Sequence, residues 1–301
     1  MKIVPVCCLL ALLPLAGCAS FHPVTASPLE VGQKYRTNMI AYTQRMQNAS
    51  ASEEERGWIL YERAGLFLTP GMLDYARADY RTIIYLPRGS VSRQLQAHAF
   101  QESAWANILA GSWIDAAQML DSSQELGLAN ARSHFIRAVL SYYTGRRGRA
   151  LEEIGKYRSM APEDRKGVMW GCLAAASASS DAIKDSCTMP PEADTAEAAA
   201  LNGGKALPTA LDVFAGKVSP DGLLKAIEEA TPEPQDNVRR AELLSEAYYY
   251  LGKYYELREK PDEALSCFRL SAAQNVFDSA EHGLAVLELR LHGDTIVRDA
   301  D

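Results

Sequence analysis

Histidine is scarce in this chain: five in 301 residues, and beyond His22 only His98, His134, His282 and His292. None forms a His-x-x-x-His pair or a Cys-His spacing suited to zinc, so no metal centre is expected. A Gly-rich phosphate loop and a Gly-x-Ser-x-Gly elbow are both missing, which removes the usual nucleotide and serine-hydrolase readings. Strand-like alternation does not persist anywhere, so the chain reads as all-α. Basic charge is in deficit as well, 31 Lys and Arg against 38 Asp and Glu. A net charge of −7 argues against nucleic acid and anionic glycan backbones as partners. No cofactor is expected.

The one long apolar run opens the chain, "MKIVPVCCLLALLPLAGCAS". It is too short to span a bilayer and reads as a secretory signal, residues 1–17. Leu15-Ala16-Gly17-Cys18 has the leucine-small-small-cysteine pattern of a bacterial lipoprotein box. A diacylglycerol on the Cys18 thiol and a further chain on its freed amine would anchor the protein stably, at roughly 0.8 kcal/mol per buried methylene. Position 19 is Ala rather than the Asp of inner-membrane retention, so the periplasmic face of the outer membrane is expected. The competing reading is an ordinary signal cut after Ala19, with Cys18 removed. Residues 18–28 then form a short tether.

Cysteine usage beyond the leader is sparse. Cys267 sits beside core positions of a helix and is expected to pack as a small apolar group. Cys172 and Cys187 are 15 residues apart, with Cys187 in a loop that runs into Pro190-Pro191. A bridge between them would add about 3 kcal/mol; spacing alone leaves open whether it forms.

What the sequence has in quantity is a repeated helical spacing. In "AYYYLGKYYELREKPDEALSCFRLS", Tyr248, Leu251, Gly252 and Tyr255 share one helical face. Pro261 restarts the chain as a second helix whose packed face is Ala264, Phe268 and Ser271. One ruler, a small residue, then Gly, Ala and a bulky residue, fits three more places. It finds Ala64, Gly71, Ala76, Tyr80; Ala104, Gly111, Ala116, Leu120; and Ala138, Gly145, Ala150, Ile154. In the last unit Glu259 occupies the Gly position. This resembles the tetratricopeptide repeat and implies a helical superhelix. The expected organisation is an N-terminal helix over 29–48 and three repeats over 50–162. A divergent helical region over 163–240, a C-terminal repeat over 241–276, a capping helix over 277–293 and a tail over 294–301 follow. Within the divergent region, "ALPTALDVFAGKVSPDGLLKAIEEA" reads as two short helices with a turn and cap at "SPDG".

Beyond the generic repeat, "LLSEAYYYLGKYYE", "AAQNV", "EHGLAVLELRLHG" and "EEERGWILYERAG" resemble the corresponding segments of the NlpI lipoprotein family. That resemblance implies a homodimeric, lipid-anchored adaptor of the outer membrane, not an enzyme. It would dock a C-terminal-processing protease, present murein endopeptidases to it and scaffold other peptidoglycan enzymes. A structural repeat lipoprotein of an outer-membrane or pilus machine is the alternative. The third reading, a lytic transglycosylase, rests on Gln101-Glu102-Ser103 alone, without the further motifs such an active domain needs.

If function is binding, it should lie on the inner face of each repeat's first helix. Projection of the repeat places Trp58, Tyr61, Leu68, His98, Gln101, Trp105, Ile108, Arg132, Phe135, Tyr142, Tyr249 and Lys253 there. Aromatics with an arginine among them are the composition of interface hot spots; burial of some of them against neighbouring helices is the competing expectation. Val31, Tyr35, Met39, Ile40, Tyr42 and Met46 make the N-terminal helix a candidate dimer contact. Packing on its own first repeat is the competing expectation.

Overall fold

The computed structural model describes residues 23–27, 29, 33–48, 50–68, 71–176, 207–232 and 234–294. Cys18, Cys187, the signal segment and most of the tail lie outside the described residues. Among the described residues there are thirteen α-helices and no strand. They are α1 Gln33–Met46, α2 Glu53–Leu68, α3 Leu73–Ile84, α4 Arg93–Leu109, α5 Trp113–Glu125, α6 Ala131–Tyr143 and α7 Arg147–Met160. Then come α8 Arg165–Ala176, α9 Ala210–Phe214, α10 Pro220–Ala230, α11 Asn237–Glu256, α12 Pro261–Ala273 and α13 Ala280–Leu291. Helices α2/α3, α4/α5, α6/α7 and α11/α12 pack as antiparallel pairs, the four units that the ruler marks out.

The turn inside each pair explains the ruler. Gly71, Gly111 and Gly145 sit at φ of +76°, +75° and +74°, the left-handed region where a side chain is strained. Each donates its N–H to the carbonyl three residues back, and the next residue donates to the carbonyl five back: Met72 to Phe67 at 2.9 Å, Ser112 to Asn107 and Arg146 to Ser141 at 2.8 Å. This is a Schellman closure, repeated three times. In the last pair Lys260 closes the same way on Tyr255 at 3.1 Å, while Glu259 is forced to φ +57°. The small residues lie where the helices touch: Ala64, Ala76, Ala104, Ala116 and Ala264 are fully buried. A Cβ on Gly252 would come within 2.4 Å of the Phe268 ring.

The divergent region carries α8, α9 and α10. Ser219 caps α10 by accepting from the Gly222 N–H at 3.0 Å, with Pro220 in the first turn. The C-terminal pair begins earlier than expected, because α11 runs back to Asn237 and reaches 20 residues. Tyr248, Tyr249 and Tyr250 are all buried, at most 1% exposed. Three consecutive positions cover most of a helix's circumference, so α11 is packed on most sides around Tyr248–Tyr250, with Glu246 left exposed. Tyr249, expected on the open inner face, is therefore enclosed with its neighbours. Cys267 packs inside, and burial pushes its thiol up to about 12. Cys172, buried in α8, is a disulfide cysteine, and its expected partner Cys187 lies outside the described residues.

Helix α1 packs on α2 of its own chain, with Met46 against the first-repeat core and Arg45 3.8 Å from Glu62. Its Ile40 stays 58% exposed.

Candidate protein-interaction surface

The inner face of the repeats is largely closed by the chain itself. Gln101, Trp105, Ile108, Phe135, Tyr142, Tyr249 and Lys253 are all buried. Their assignment to an open groove is therefore corrected, and the covering elements are identifiable. Trp170 of α8 stands edge-on to Phe135 and Tyr142, at 6.0 and 5.4 Å between ring centres. From the far end of the chain, Gly283 of α13 lets that helix settle against Leu109, where a Cβ would stand 3.2 Å from the leucine. The Arg290 guanidinium donates to the Leu109 carbonyl at 3.4 Å.

A buried polar network seals this closure. Tyr143 of α6 donates to Glu288 of α13 at 2.6 Å and lies 3.2 Å from the Tyr249 hydroxyl of α11. The Lys253 ammonium reaches Glu288 at 2.7 Å and Glu256 at 2.5 Å, under the rings of Tyr142, Tyr143 and Phe268. Burial works against its charge, but Tyr142 and Glu288 outweigh it and hold Lys253 above the ordinary lysine range. Glu256, Glu288 and His292 bring three donor atoms within 4.8 Å of one another, a geometry that a metal could use. Lys253 already supplies the cation there.

The part left accessible belongs to α2, α4 and the start of α6. Trp58, Tyr61, Leu68 and His98 are half-buried, and Arg132 is exposed. Trp58 and Tyr61 meet edge-on at 5.6 Å, and Tyr61 lies 6.2 Å from His98. Arg132 stands 5.7 Å over the Trp105 ring and holds Glu102 through two hydrogen bonds, one of 2.6 Å. Burial, with Glu102 adding to it, pushes the Tyr61 hydroxyl up to about 12, so it remains a neutral donor. Glu102, the one catalytic candidate, is thus engaged in an ion pair with Arg132. Glu246 of α11 keeps solvent contact and lies beside Asp164, Arg165 and Lys166, between α7 and the start of α8. The strip combines rigid rings, a partly exposed guanidinium and polar edges, which suits a peptide or protein surface better than a small molecule.

Sequence projection missed the closure because the ruler describes neighbours in sequence only. A signal was present in the three adjacent tyrosines, which no single helical face can bury.

The class is thereby defined: a tetratricopeptide-repeat-like helical array. No protein-family model matches the chain. Among solved structures it is similar to the TPR protein YrrB, described with an unusual peptide-binding site. That match has 14% identity and a TM-score of 0.37, over 83% of this chain and 98% of the other. A tetratricopeptide repeat protein from Parabacteroides merdae ATCC 43184 matches at 18% identity and a TM-score of 0.40, over 86% and 78%. At such scores the repeat architecture rests on the helix pairs and turns of this chain.

Proposed function

We propose that the chain is a non-catalytic adaptor of the NlpI type, held at the periplasmic face of the outer membrane by acylated Cys18. In this reading it docks a C-terminal-processing protease and presents murein endopeptidases to it for degradation. The observation that supports binding is the accessible strip of Trp58, Tyr61, His98 and Arg132, with hot-spot composition on a rigid helical scaffold. The lipoprotein box and the family resemblance supply the location and the partners. The chain also pairs with a second copy, using the exposed Ile40 side of α1 that its own first repeat leaves uncovered. Bridging of Cys172 to Cys187 would pin the chain that follows α8 back onto that helix.

The test is reconstitution. The acylated protein is mixed with a C-terminal-processing protease and a murein endopeptidase, and endopeptidase loss is followed. Acceleration by the wild-type chain, lost with Tyr61→Ala and Arg132→Ala together, supports the reading. Capture of a secretin or barrel-assembly complex from solubilised envelopes, without protease or hydrolase, would replace it with the structural alternative. Light scattering on the chain from residue 19 decides the pairing; a monomer at high micromolar concentration ends that part.

A further inference from the structure

The residues that follow the anchor do not hang free. Val24 and Ala26 pack on the main core, against the C-terminal repeat. The Tyr248 hydroxyl donates to the Val24 carbonyl at 2.7 Å, and the Ala26 N–H donates to Gln274 Oε1 at 3.3 Å. Asn237 clasps Ser27 on both sides, accepting its N–H at 2.8 Å and donating to its carbonyl at 3.0 Å. These contacts join segments more than 200 residues apart in sequence. The expected tether over 18–28 is thus, in its described part, a strap on α11 and the end of α12.

Helix geometry says which side of the molecule the strap occupies. Asn237 and Tyr248 are eleven residues apart, about three full turns, so both lie on one face of α11. Glu246 lies beside Asp164, which Tyr157 joins to the Arg132 end of the accessible strip; it is two residues from Tyr248 and hence about 200° around the helix. The strap therefore runs along the back of α11, opposite the binding side.

We propose that this strap makes the back of the C-terminal repeat the membrane-proximal surface of the protein and turns the accessible strip away from the bilayer. The inference rests on the Cys18 anchor reading. Six residues separate Cys18 from Val24, a reach of at most about 20 Å, so an acylated Cys18 keeps the bilayer within that distance of the strap. Asp221 and Glu228 lie near Tyr248 and put negative charge beside the strap, which does not favour an anionic lipid surface there. Contact with the bilayer depends on the acyl chains, and orientation depends on the strap.

Energy transfer to a headgroup acceptor in vesicles tests this. A donor is attached through an azido side chain at position 225 of α10, on the strap side, or at position 114 of α5. Position 114 lies beyond α6, two interhelical spacings of roughly 8–10 Å each from α11. Both Lys225 and Ile114 are exposed, at 74% and 76%. Higher transfer from 225 than from 114 is expected for the acylated chain. The difference should collapse in Asn237→Ala combined with Tyr248→Phe, which removes the clasp but keeps the buried ring. Equal transfer from both positions in the wild-type chain, or an unchanged difference in the double variant, overturns the strap. Mass spectrometry of Cys18 from envelopes reports separately on the anchor. If acyl chains are absent the membrane proposal falls with the anchor reading. The clasp is then still read by coupling the Cys18 thiol to maleimide-lipid vesicles.

Discussion

The first three repeats and the C-terminal repeat follow one sequence rule and use it differently. In the N-terminal units, glycine closes each turn and an accessible strip remains on the inner side. In the C-terminal unit the glycine is Glu259, and the first helix is enclosed by α6, α10, α12, α13 and the strap. The lesson is that a repeat can serve as a surface or as a core. Which one it becomes depends on what the rest of the chain lays against it.

The sharpest way to break that contrast is at Lys253. Replacing it with Met leaves Glu288, whose side chain is 3% exposed, without its cation. A loss of about 3–5 kcal/mol is expected in denaturant unfolding. Adding Glu288→Leu should restore much of it, because the orphaned charge is then gone. The matching ion pair of the N-terminal region, Arg132 with Glu102, has its arginine 45% exposed. Arg132→Met should cost clearly less, since water can reach the vacated position.

Acid should act on the C-terminal region next. His282 is buried with its Nδ1 lacking a hydrogen-bond partner among the described residues, and burial pulls its pKa down to about 4. The unfolded chain takes up a proton near pH 6.5 that the folded chain refuses until about pH 4. Stability therefore falls as pH drops through that window and the loss levels off below it. It amounts to about 3 kcal/mol from this group. Unfolding free energies of wild type and His282→Gln, measured across pH 4–7, should differ by that slope.

Gly252 and Gly65 give a smaller, opposite-signed pair. Gly252→Ala drives a methyl into the buried Phe268 ring and should cost about 1–3 kcal/mol. Gly65→Ala meets nothing within 4 Å on exposed α2 and should gain about 0.5–1 kcal/mol. Thermal melts of both variants would show that helices approach closely at Gly252 and not at Gly65. The smallest effect expected is at the turn. Glu259→Gly relieves a left-handed backbone and should stabilise by about 1 kcal/mol, whereas Gly111→Ala should cost a similar amount.

These substitutions also separate what is local from what is not. Alanine at 64, 76, 104, 116 and 264, glycine at 71, 111 and 145, and the serine cap at 219 are dictated by one helix meeting the next or by a single turn. Such constraints act over a few residues, so they leave a spacing that can be read directly, and with them the all-α repeat architecture. The fate of the inner face is different in kind. Trp105, Phe135 and Tyr142 have the same composition whether they meet a partner or Trp170, and only the path of the chain after residue 160 decides it. The same holds for Val24 and Ser27, which look like a plain tether until Tyr248 and Asn237 are seen to hold them. Sequence determined the helix pairs and their turns, because those are contacts between neighbours. Tertiary structure alone decided which faces stay open, because burial depends on segments whose separation in the chain says nothing of their distance in space.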